Sequence, residues 1–292
     1  MNTIILEGGL GNRMRVAAAA YAMAHRLASN GSSLPFRVLW LPQWGMHCRF
    51  DDLFQAPCFG TSVASKKHEV PTPPFTLRDA RGAERLLFAR AKAGNLWLPR
   101  LAQRLCFRRI ILSPQIYFLQ RDNFDFEAWF RRDDCLMTAY RDFCPWSDEL
   151  IPLLFRPLPA IQQEVENRAA TFTPHTIGLH IRRTDNQASI DGSPDELFFS
   201  VVDTQLSNNP DLHVYLATDD EPTKARFHQR YGNDRIQTAP TTATRDSSNG
   251  IREALIEMLL LARTSHVYGS AGSTFSEIAV KFTGTPITIL QK

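Results

Sequence analysis

Strands alternate with helices along the C-terminal half of the chain, and this order constrains the fold more than any other feature. Helical segments separate five runs of strand length, which lie at 176–181, 212–217, 235–237, 266–268 and 287–290. A strand followed by a helix and another strand favours parallel pairing in one sheet. We therefore predict an α/β fold, with a Rossmann-like unit over 156–292.

The N-terminal half starts with the same pattern. A buried strand is predicted at 3–7, followed by a glycine-rich turn and an alanine-rich helix over 17–28. Because such a turn lets backbone N–H groups approach a ligand, we expect Gly11, an exposed Asn12 and an exposed Arg13 at a binding site. A tight turn between strand and helix would explain the glycines alone. As a dinucleotide motif the turn is weak, since Met14 stands at the third glycine position.

The remainder of the N-terminal half is less regular. A second strand is predicted at 35–41, and between 43 and 147 we expect only short strands, at 109–112 and 136–140. Prolines at 152, 157 and 159 then mark a linker. Residues 1–155 are therefore interpreted as one α/β domain with insertions.

The strand at 176–181 ends in polar side chains. His180, Arg182 and Arg183 lie at its end. Neighbouring strand residues point to opposite faces, so the two arginines should have different roles, and His180 should share a face with Arg182. A guanidinium presents forked donors that match phosphate oxygens. The strand end thus predicts an anion site, although two solvated surface arginines would explain this segment equally well.

Two further segments of the C-terminal half have unusual polar residues. The apolar helix predicted over 251–262 contains one acid, Glu257, and a carboxylate in such surroundings needs a partner. After the strand at 266–268, small and hydroxyl residues open a helix near Ser273. A helix start of this kind is a second candidate phosphate site.

The segment 78–109 is strongly basic, with nine basic residues and two acids. Leucines and aromatic residues interleave with the arginines, a pattern that is typical of a solvated helix face. Contact with an anionic membrane surface is the alternative interpretation. The net charge of the whole chain is only +3, so we expect no nucleic-acid partner.

Composition and cysteine use favour a cytoplasmic globular protein. Hydrophobic residues make up 43% of the chain and charged residues 22%, which excludes extensive disorder. The five cysteines are scattered and odd in number, which favours reduced thiols over a disulfide framework or a zinc site. We expect no signal peptide and no transmembrane span, with the inner face of the membrane as an alternative location.

The motifs of the C-terminal half resemble those of the GDP-fucose-dependent fucosyltransferases. Segments 178–185 and 214–220, then Glu257 and the run 273–276, follow the order of three successive family motifs. The likeness is closest to α1,6-fucosyltransferases of N-glycan cores and nodulation factors, and the turn 9–14 also resembles α1,2- and protein O-fucosyltransferases. The resemblance implies a GT-B fold, with two Rossmann-like domains facing each other across a cleft, a C-terminal donor domain, an N-terminal acceptor-side domain and no metal.

The resemblance also implies roles for individual residues. His180 would contact guanosine, Arg182 the β-phosphate, and Arg183 would stabilise charge on the departing GDP. Glu257 would pair with guanine, whose N1–H and 2-amino group can both donate to a carboxylate, whereas uracil has no such pair. The other donor-binding residues would be Ser273, Thr274, Phe275 and Ser276, with Gly11, Asn12 and Arg13 from the N-terminal turn.

The implied reaction is an inverting transfer of L-fucose from GDP-β-L-fucose to a hydroxyl of a glycan or glycoconjugate. Asn186 and Ile190 stand where the α1,6 enzymes have a Lys and a proposed basic Glu, so Asp185 and Asp191 become the candidate bases. A bacterial enzyme acting on lipid-linked or soluble oligosaccharide precursors fits these expectations. The alternatives are transfer from another GDP-sugar, a catalytically inactive GDP-sugar-binding protein, and a membrane-surface partner protein built around 78–109.

Overall fold

The computed structural model describes residues 1–43, 45–57, 73–88, 97–184, 186–240 and 246–292. The chain divides into two compact units, Met1–Arg156 and Pro157–Lys292. In the described residues, no helix has the length and apolar character needed to cross a membrane.

The N-terminal unit contains a five-stranded parallel sheet in the order β3-β2-β1-β5-β4. Its elements are β1 (Asn2–Leu6), α1 (Leu10–Ser29), β2 (Phe36–Trp40), β3 (Phe75–Asp79), α2 (Ala83–Phe88), α3 (Trp97–Cys106), β4 (Arg109–Ile111), α4 (Ser113–Arg121), α5 (Phe126–Phe130), β5 (Cys135–Ala139) and α6 (Leu150–Leu154). All five residues of β1 are buried, as expected for a central strand of a parallel sheet with helices on both faces.

Two details of this unit differ from the sequence prediction. Helix α1 begins at Leu10 rather than near 17, because Gly8 adopts a positive φ of 78° and turns the chain sharply after β1. Strand β3 was not predicted. Its last residue, Asp79, is a buried acid that interrupts the apolar pattern and accepts hydrogen bonds from the backbone N–H groups of Phe50 (2.9 Å) and Asp51 (3.1 Å).

The C-terminal unit contains a second five-stranded parallel sheet, in the order β10-β9-β6-β7-β8. Its elements are α7 (Pro159–Ala169), β6 (Thr176–Ile181), α8 (Gln187–Gly192), α9 (Asp195–Asn208), β7 (His213–Thr218), α10 (Glu221–Tyr231), β8 (Ile236–Thr238), α11 (Ser248–Leu261), β9 (Val267–Ser270), α12 (Thr274–Val280) and β10 (Ile287–Leu290). The predicted α/β architecture with two Rossmann-like units is confirmed.

The two faces of β6 have different neighbours. Ile177, Leu179 and Ile181 belong to a core with Phe198 of α9 and Phe227 of α10. On the other face, a Cβ at Gly178 would lie 2.8 Å from Thr264 Oγ1 and 2.9 Å from Leu261 Cδ2. Glycine therefore lets the end of α11 pack closely on this strand.

The cysteines within the described ranges, namely Cys48, Cys106, Cys135 and Cys144, are free thiols. Burial raises the pKa of Cys135 to about 11 and that of Cys144 to about 12, which keeps both thiols protonated and unreactive. Cys58 lies outside the described residues.

Candidate functional site

The strand order of the C-terminal sheet identifies one edge as the candidate site. From β6 the chain proceeds through β7 to β8, then crosses back to β9 on the other side of β6. Ligands of open α/β sheets bind beyond the carboxyl ends of the strands at such a switch point. The residues that follow β6 and β9, starting at Arg182 and Ala271, therefore border the expected crevice.

Arg182 forms an ion pair with Asp219 at this edge. The register of β6 and β7 pairs Ile181 with Thr218, so the residues that follow these two lie side by side. Arg182 Nη1 is 2.7 Å from Asp219 Oδ2, and the two side chains are only 16% and 12% exposed. The backbone N–H of Arg182 also donates to Ser270 Oγ at 3.1 Å. Arg182 is thus held from both neighbouring strands.

Asp219 organises the loop that follows β6. Its carboxylate accepts from the backbone N–H of Arg183 at 2.8 Å and from the hydroxyl of Thr184 at 2.5 Å. Burial raises the pKa of the Asp219 carboxyl, but the Thr184 hydrogen bond, the Arg182 charge and the backbone donors outweigh burial and leave the pKa below its usual value. Asp219 was not among the predicted site residues, although an acid directly after a predicted strand is typical of a site at the carboxyl end of a sheet.

The Arg183 side chain contacts a different acid from that of Arg182, in line with the alternation predicted for neighbouring strand residues. Its Nε donates to Asp195 at 2.9 Å, and its Nη2 donates to Asp195 and, at 2.8 Å, to the carbonyl of Ser193. Asp195 is buried and also pairs with Arg226. The Arg183 guanidinium, 11% exposed, is therefore held at the start of α9 rather than beside Arg182.

His180 shares the Arg182 face and stacks against an aromatic ring. The centroids of its ring and of Phe275 are 4.8 Å apart, with 26° between the planes. Burial, with a smaller contribution from the Arg182 charge, lowers the pKa of His180 to about 3, so the imidazole is neutral at physiological pH. Its Nδ1 and the nearby buried Ser276 Oγ have no hydrogen-bond partner within the described residues.

Glu257 is buried on α11 with an unsatisfied oxygen. The residue is 4% exposed, and its Oε1 has no hydrogen-bond partner among the described residues. Burial raises the pKa of Glu257 to about 8, although the charge of Lys224 opposes the shift. The hydroxyl of Tyr215 is also buried and unsatisfied, and burial and then the Glu257 charge raise its pKa well above the usual value. Two buried polar groups on one side of the sheet thus lack partners.

Helix α8 is tied to the loop between β9 and α12. Ser189 Oγ donates to the carbonyl of Ala271 at 2.6 Å, and Asn186 Nδ2 donates to that of Gly272 at 3.2 Å. Ser193 Oγ accepts from the backbone N–H of Ala271 at 2.8 Å. These bonds hold the loop that leads into Ser273, which is itself buried and does not use its hydroxyl to cap α12.

The run 273–276 lies at the start of α12. Ser273 and Ser276 are buried, whereas Thr274 and Phe275 are half-buried. The run therefore lies at the β9 side of the switch point, and Phe275 reaches His180.

Of the two candidate bases, Asp191 lies within the described residues. Asp191 is exposed on α8 and accepts a hydrogen bond from Gln187 Nε2 at 2.8 Å. Asp185 lies outside the described residues. Within the described ranges, no group of three His, Cys, Asp or Glu residues is arranged to hold a metal.

The expectation that Arg13 is exposed is wrong. Arg13 is fully buried in the first turn of α1, where its Nε donates to the carbonyl of Gly8 (2.9 Å) and its Nη1 to that of Leu41 (2.8 Å). Its guanidinium lies 4.9 Å from the centroid of the Trp40 ring. Burial lowers its pKa to about 9 against the opposing charges of nearby acids, so the group stays charged at neutral pH.

The start of α1 at Leu10 explains this placement, because it directs the Arg13 side chain towards the ends of β1 and β2. Gly11 is buried in the same turn, and Asn12 is half-buried. The three residues belong to the N-terminal unit.

Solved structures of two proteins share the architecture of the whole chain. NodZ α1,6-fucosyltransferase soaked with GDP-fucose superposes with a TM-score of 0.60 at 17% identity, covering 97% of this chain and 92% of that chain. NodZ from Bradyrhizobium gives 0.59 at 17% identity, with 96% and 91% covered. POFUT1 in complex with GDP gives 0.55 at 10% identity, with 99% and 98% covered. The chain has the fold of these fucosyltransferases.

No protein-family model matches the sequence, and no curated protein matches it. At 10–17% identity the structural likeness establishes the fold alone. The chemistry therefore has to be argued from the site.

Proposed function

We propose that the protein is an inverting fucosyltransferase that uses GDP-β-L-fucose and a hydroxyl of a glycan or glycoconjugate. The observation that carries the proposal is the buried, unsatisfied carboxyl group of Glu257 in the unit that also presents Arg182 at the strand ends. The shared fold supports it, since the NodZ and POFUT1 structures were obtained with GDP or GDP-fucose.

Glu257 would select guanine among nucleobases. An ionised carboxylate accepts from both N1–H and the 2-amino group of guanine, and uracil cannot supply that pair of donors. Each hydrogen bond to a charged group contributes about 1.5–3 kcal/mol. Because the unsatisfied oxygen of Glu257 is costly in the free protein, a ligand that satisfies it is favoured further. Neutral His180, stacked on Phe275, would contact the guanosine.

Arg182 would bind the β-phosphate. Asp219 holds its guanidinium at the strand end and compensates its charge. A guanidinium held in place offers its donors to a diphosphate with little loss of side-chain entropy. In this proposal the run 273–276 supplies hydroxyl and backbone donors from the β9 side of the same edge.

Arg183 would stabilise the charge that develops on GDP as the sugar–phosphate bond breaks. The transition state has oxocarbenium character, and inversion requires the acceptor hydroxyl to attack the face opposite the leaving group. Fixed positive charge near the leaving oxygen lowers this barrier. Asp195 and the Ser193 carbonyl hold Arg183 at the start of α9, so this role requires its guanidinium to turn towards the leaving oxygen when the donor binds. The positive charge of Arg183 would then do the work of a metal in the mechanism that we propose.

The general base would be an acid near the end of β6. Asp191 on α8 is exposed and thus accessible to an acceptor hydroxyl, and Asp185 remains the second candidate. The acceptor would bind the N-terminal unit, where exposed aromatic side chains lie beyond the carboxyl ends of two strands. Tyr117 and Phe118 on α4, after β4, are 52% and 54% exposed, and Tyr140, after β5, is 38% exposed.

These aromatic rings suit a carbohydrate. Flat apolar faces pack against the C–H groups of sugar rings, and phenolic hydroxyls provide polar contacts at the rim. Replacing Tyr117 and Phe118 by alanine should raise the KM for acceptor oligosaccharides while leaving GDP affinity unchanged. Leu153→Ala, a truncation at another partly exposed position (37%), is the matched control. An unchanged acceptor KM would place the acceptor elsewhere.

A catalytically inactive GDP-sugar-binding protein is the second candidate. Asn186 and Ile190, in place of the Lys and Glu of the similar α1,6 enzymes, favour it. Reaction with GDP-fucose and an oligosaccharide mixture separates the two, because only an enzyme releases GDP in step with glycan product. The cytoplasmic location and the lipid-linked or soluble precursor substrate belong to the enzyme proposal, and the free thiols of the described cysteines support the location.

The deciding experiment is a thermal melt of the purified protein without added metal, against GDP, GDP-fucose, GDP-mannose, UDP and UDP-glucose. A ligand at about one hundred times its Kd adds about 2.7 kcal/mol to the native state, which is readily measured. Stabilisation by GDP and GDP-fucose, but not by the uridine nucleotides, is the expected result. Absence of any response to guanine nucleotides would overturn the proposal, and a preference for GDP-mannose would change the sugar.

A further inference from the structure

The outer face of α3 carries leucines that are exposed in the described part of the chain. Leu101 and Leu105 lie one helical turn apart and are 48% and 80% exposed. Arg100, Arg104 and Arg108 alternate with them along the chain and are also exposed. We call these five residues the basic leucine face. Within α3, Arg100, Leu101, Arg104 and Leu105 recur at spacings of three to four residues and so lie on one side of the helix. Arg108 follows two residues after the helix ends at Cys106.

No described acid of the protein neutralises the arginines of the basic leucine face. Within the described residues, none of the three side chains forms a hydrogen bond or an ion pair, and the segment 97–109 contains no acid. Arg78, before α2, behaves differently, because it pairs with Glu84. Among the described residues, the three arginines at and just after α3 keep an unpaired positive charge.

Helix α3 is tied to α2 and to the core of the N-terminal unit. Gln103 on the inner side of α3 donates to the carbonyl of Leu87 at 2.7 Å, which ties α3 to α2. Phe88 and Phe107 bury their rings in the core beneath the two helices. Leu86 of α2 is 76% exposed. The helix pair is thus packed against the core, and in the part of the chain that the structure describes its leucines Leu86, Leu101 and Leu105 are exposed.

We propose that the basic leucine face docks on the surface of an anionic lipid bilayer. Leucines that enter the headgroup boundary bury apolar area, and arginines at the same depth pair with lipid phosphates while their stems remain in the apolar region. Symmetric self-association would instead bring six unneutralised arginines together, which like-charge repulsion disfavours. The proposal does not depend on the proposed transferase activity, because it concerns a different surface and needs no nucleotide.

The test is co-sedimentation of the full chain with vesicles of phosphatidylcholine alone, and of phosphatidylcholine and phosphatidylglycerol in equal amounts. Binding to the anionic vesicles only, weakened by salt, is expected. The variant R100S/R104S/R108S should bind on the order of a hundredfold more weakly. L101S/L105S should lose on the order of tenfold, a loss that persists at high salt.

The matched control is R132S/R252S/R263S, which removes the same charge from exposed positions elsewhere and should bind as the wild type does. Because all the altered side chains are exposed, each variant should keep the wild-type melting temperature. Equal binding to neutral and anionic vesicles, no binding by the wild type, or an equal loss in the control would overturn the proposal. A lipid-free dimer that L101S/L105S dissociates would assign the face to a second copy of the chain instead.

Discussion

Arg182 and Asp219, which follow the neighbouring strands β6 and β7, form an ion pair with 2.7 Å between Nη1 and Oδ2. The same carboxylate accepts from the backbone of Arg183, so it connects both arginines of the strand end. The pair is largely shielded from solvent. It fixes the Arg182 guanidinium at the strand ends, where the sheet topology predicts ligand binding.

Asp219→Asn should weaken both the fold and GDP binding. The amide keeps the size of the side chain but loses the charge that holds Arg182, and it cannot accept from all the donors now present. We expect a loss of about 1–3 kcal/mol in the free energy of unfolding and at least a tenfold rise in the Kd for GDP. Denaturant titration and calorimetry measure the two effects. Asp203→Asn, which removes an exposed partner of Arg230, is the control and should change neither by a comparable amount.

Glu257 should make the stability of the free protein depend on pH. Its pKa is about 8 in the folded state and near 4.5 when the chain is unfolded. Between these values the native state retains a proton that the unfolded state releases, so stability falls as pH rises through this window, by about 1.4 kcal/mol per unit for this group. Below pH 4.5 and above pH 8 the contribution is constant.

The Glu257→Gln variant tests this dependence, since it removes the titration. The difference in unfolding free energy between variant and wild type should shift in favour of the variant as pH rises from 5 to 8. Glu277→Gln, at an exposed position on α12, should run parallel to the wild type. Parallel curves for Glu257→Gln would show that Glu257 titrates normally in the fold.

Binding of GDP should show the opposite pH dependence. Because guanine needs the ionised carboxylate, binding below pH 8 must release the proton of Glu257, and the affinity should fall about tenfold per pH unit below that value. Calorimetry in buffers of different ionisation enthalpy measures this proton release. In Glu257→Gln the extra dependence should vanish and the affinity at pH 8 should drop. The Glu277→Gln variant should show the pH dependence of wild-type binding, which includes titration of the nucleotide. The difference between the binding curves of the two variants therefore isolates the contribution of Glu257.

Arg183→Ala should affect turnover more than binding. If Arg183 stabilises charge that exists only in the transition state, its removal should lower kcat on the order of a hundredfold or more while the Kd for GDP changes only a few-fold. Asp195→Asn, which loosens the hold on Arg183, should lower kcat less. Arg230→Ala removes an exposed arginine of the same unit as a control. Unaltered turnover in Arg183→Ala would remove this residue from the catalytic mechanism.

Arg13→Lys should show whether Arg13 stabilises the fold or contacts the GDP-sugar donor, as the sequence predicts. The lysine retains the charge but cannot donate to both the Gly8 and the Leu41 carbonyls, so we expect a loss of about 3 kcal/mol in stability. The Kd for GDP, measured on folded protein, should change less than twofold. Lower GDP affinity at unchanged stability would instead support the donor-binding role predicted from the sequence.

The sequence predicted correctly those features that depend on the residue pattern of a single strand or helix. The apolar runs of the C-terminal half identified its strands, and their alternation with helices identified the parallel sheet. The period of two along β6 separated Arg182 from Arg183 correctly. The apolar surroundings of Glu257 along its own helix were enough to recognise a buried acid.

Side-chain pairs between distant strands and helices could not be predicted from the pattern of a single element. The Arg182–Asp219 pair arises from the register of β6 against β7, and the Arg183–Asp195 pair from the return of the chain at α9. The burial of Arg13 follows from one positive φ at Gly8, which starts α1 early and directs the side chain towards the carbonyl of Leu41.

The sequence by itself determined which elements form, which of their faces are apolar and where polar residues interrupt them, because these properties depend on local periodicity and backbone propensity. Only the tertiary structure decided which acid pairs with which arginine and which polar groups remain unsatisfied. Those outcomes depend on strand register and on helix packing between residues far apart in the chain, 36 positions for Arg183 and Asp219 and 88 for Arg182 and Ser270. The local periodicity of the sequence does not determine these pairings.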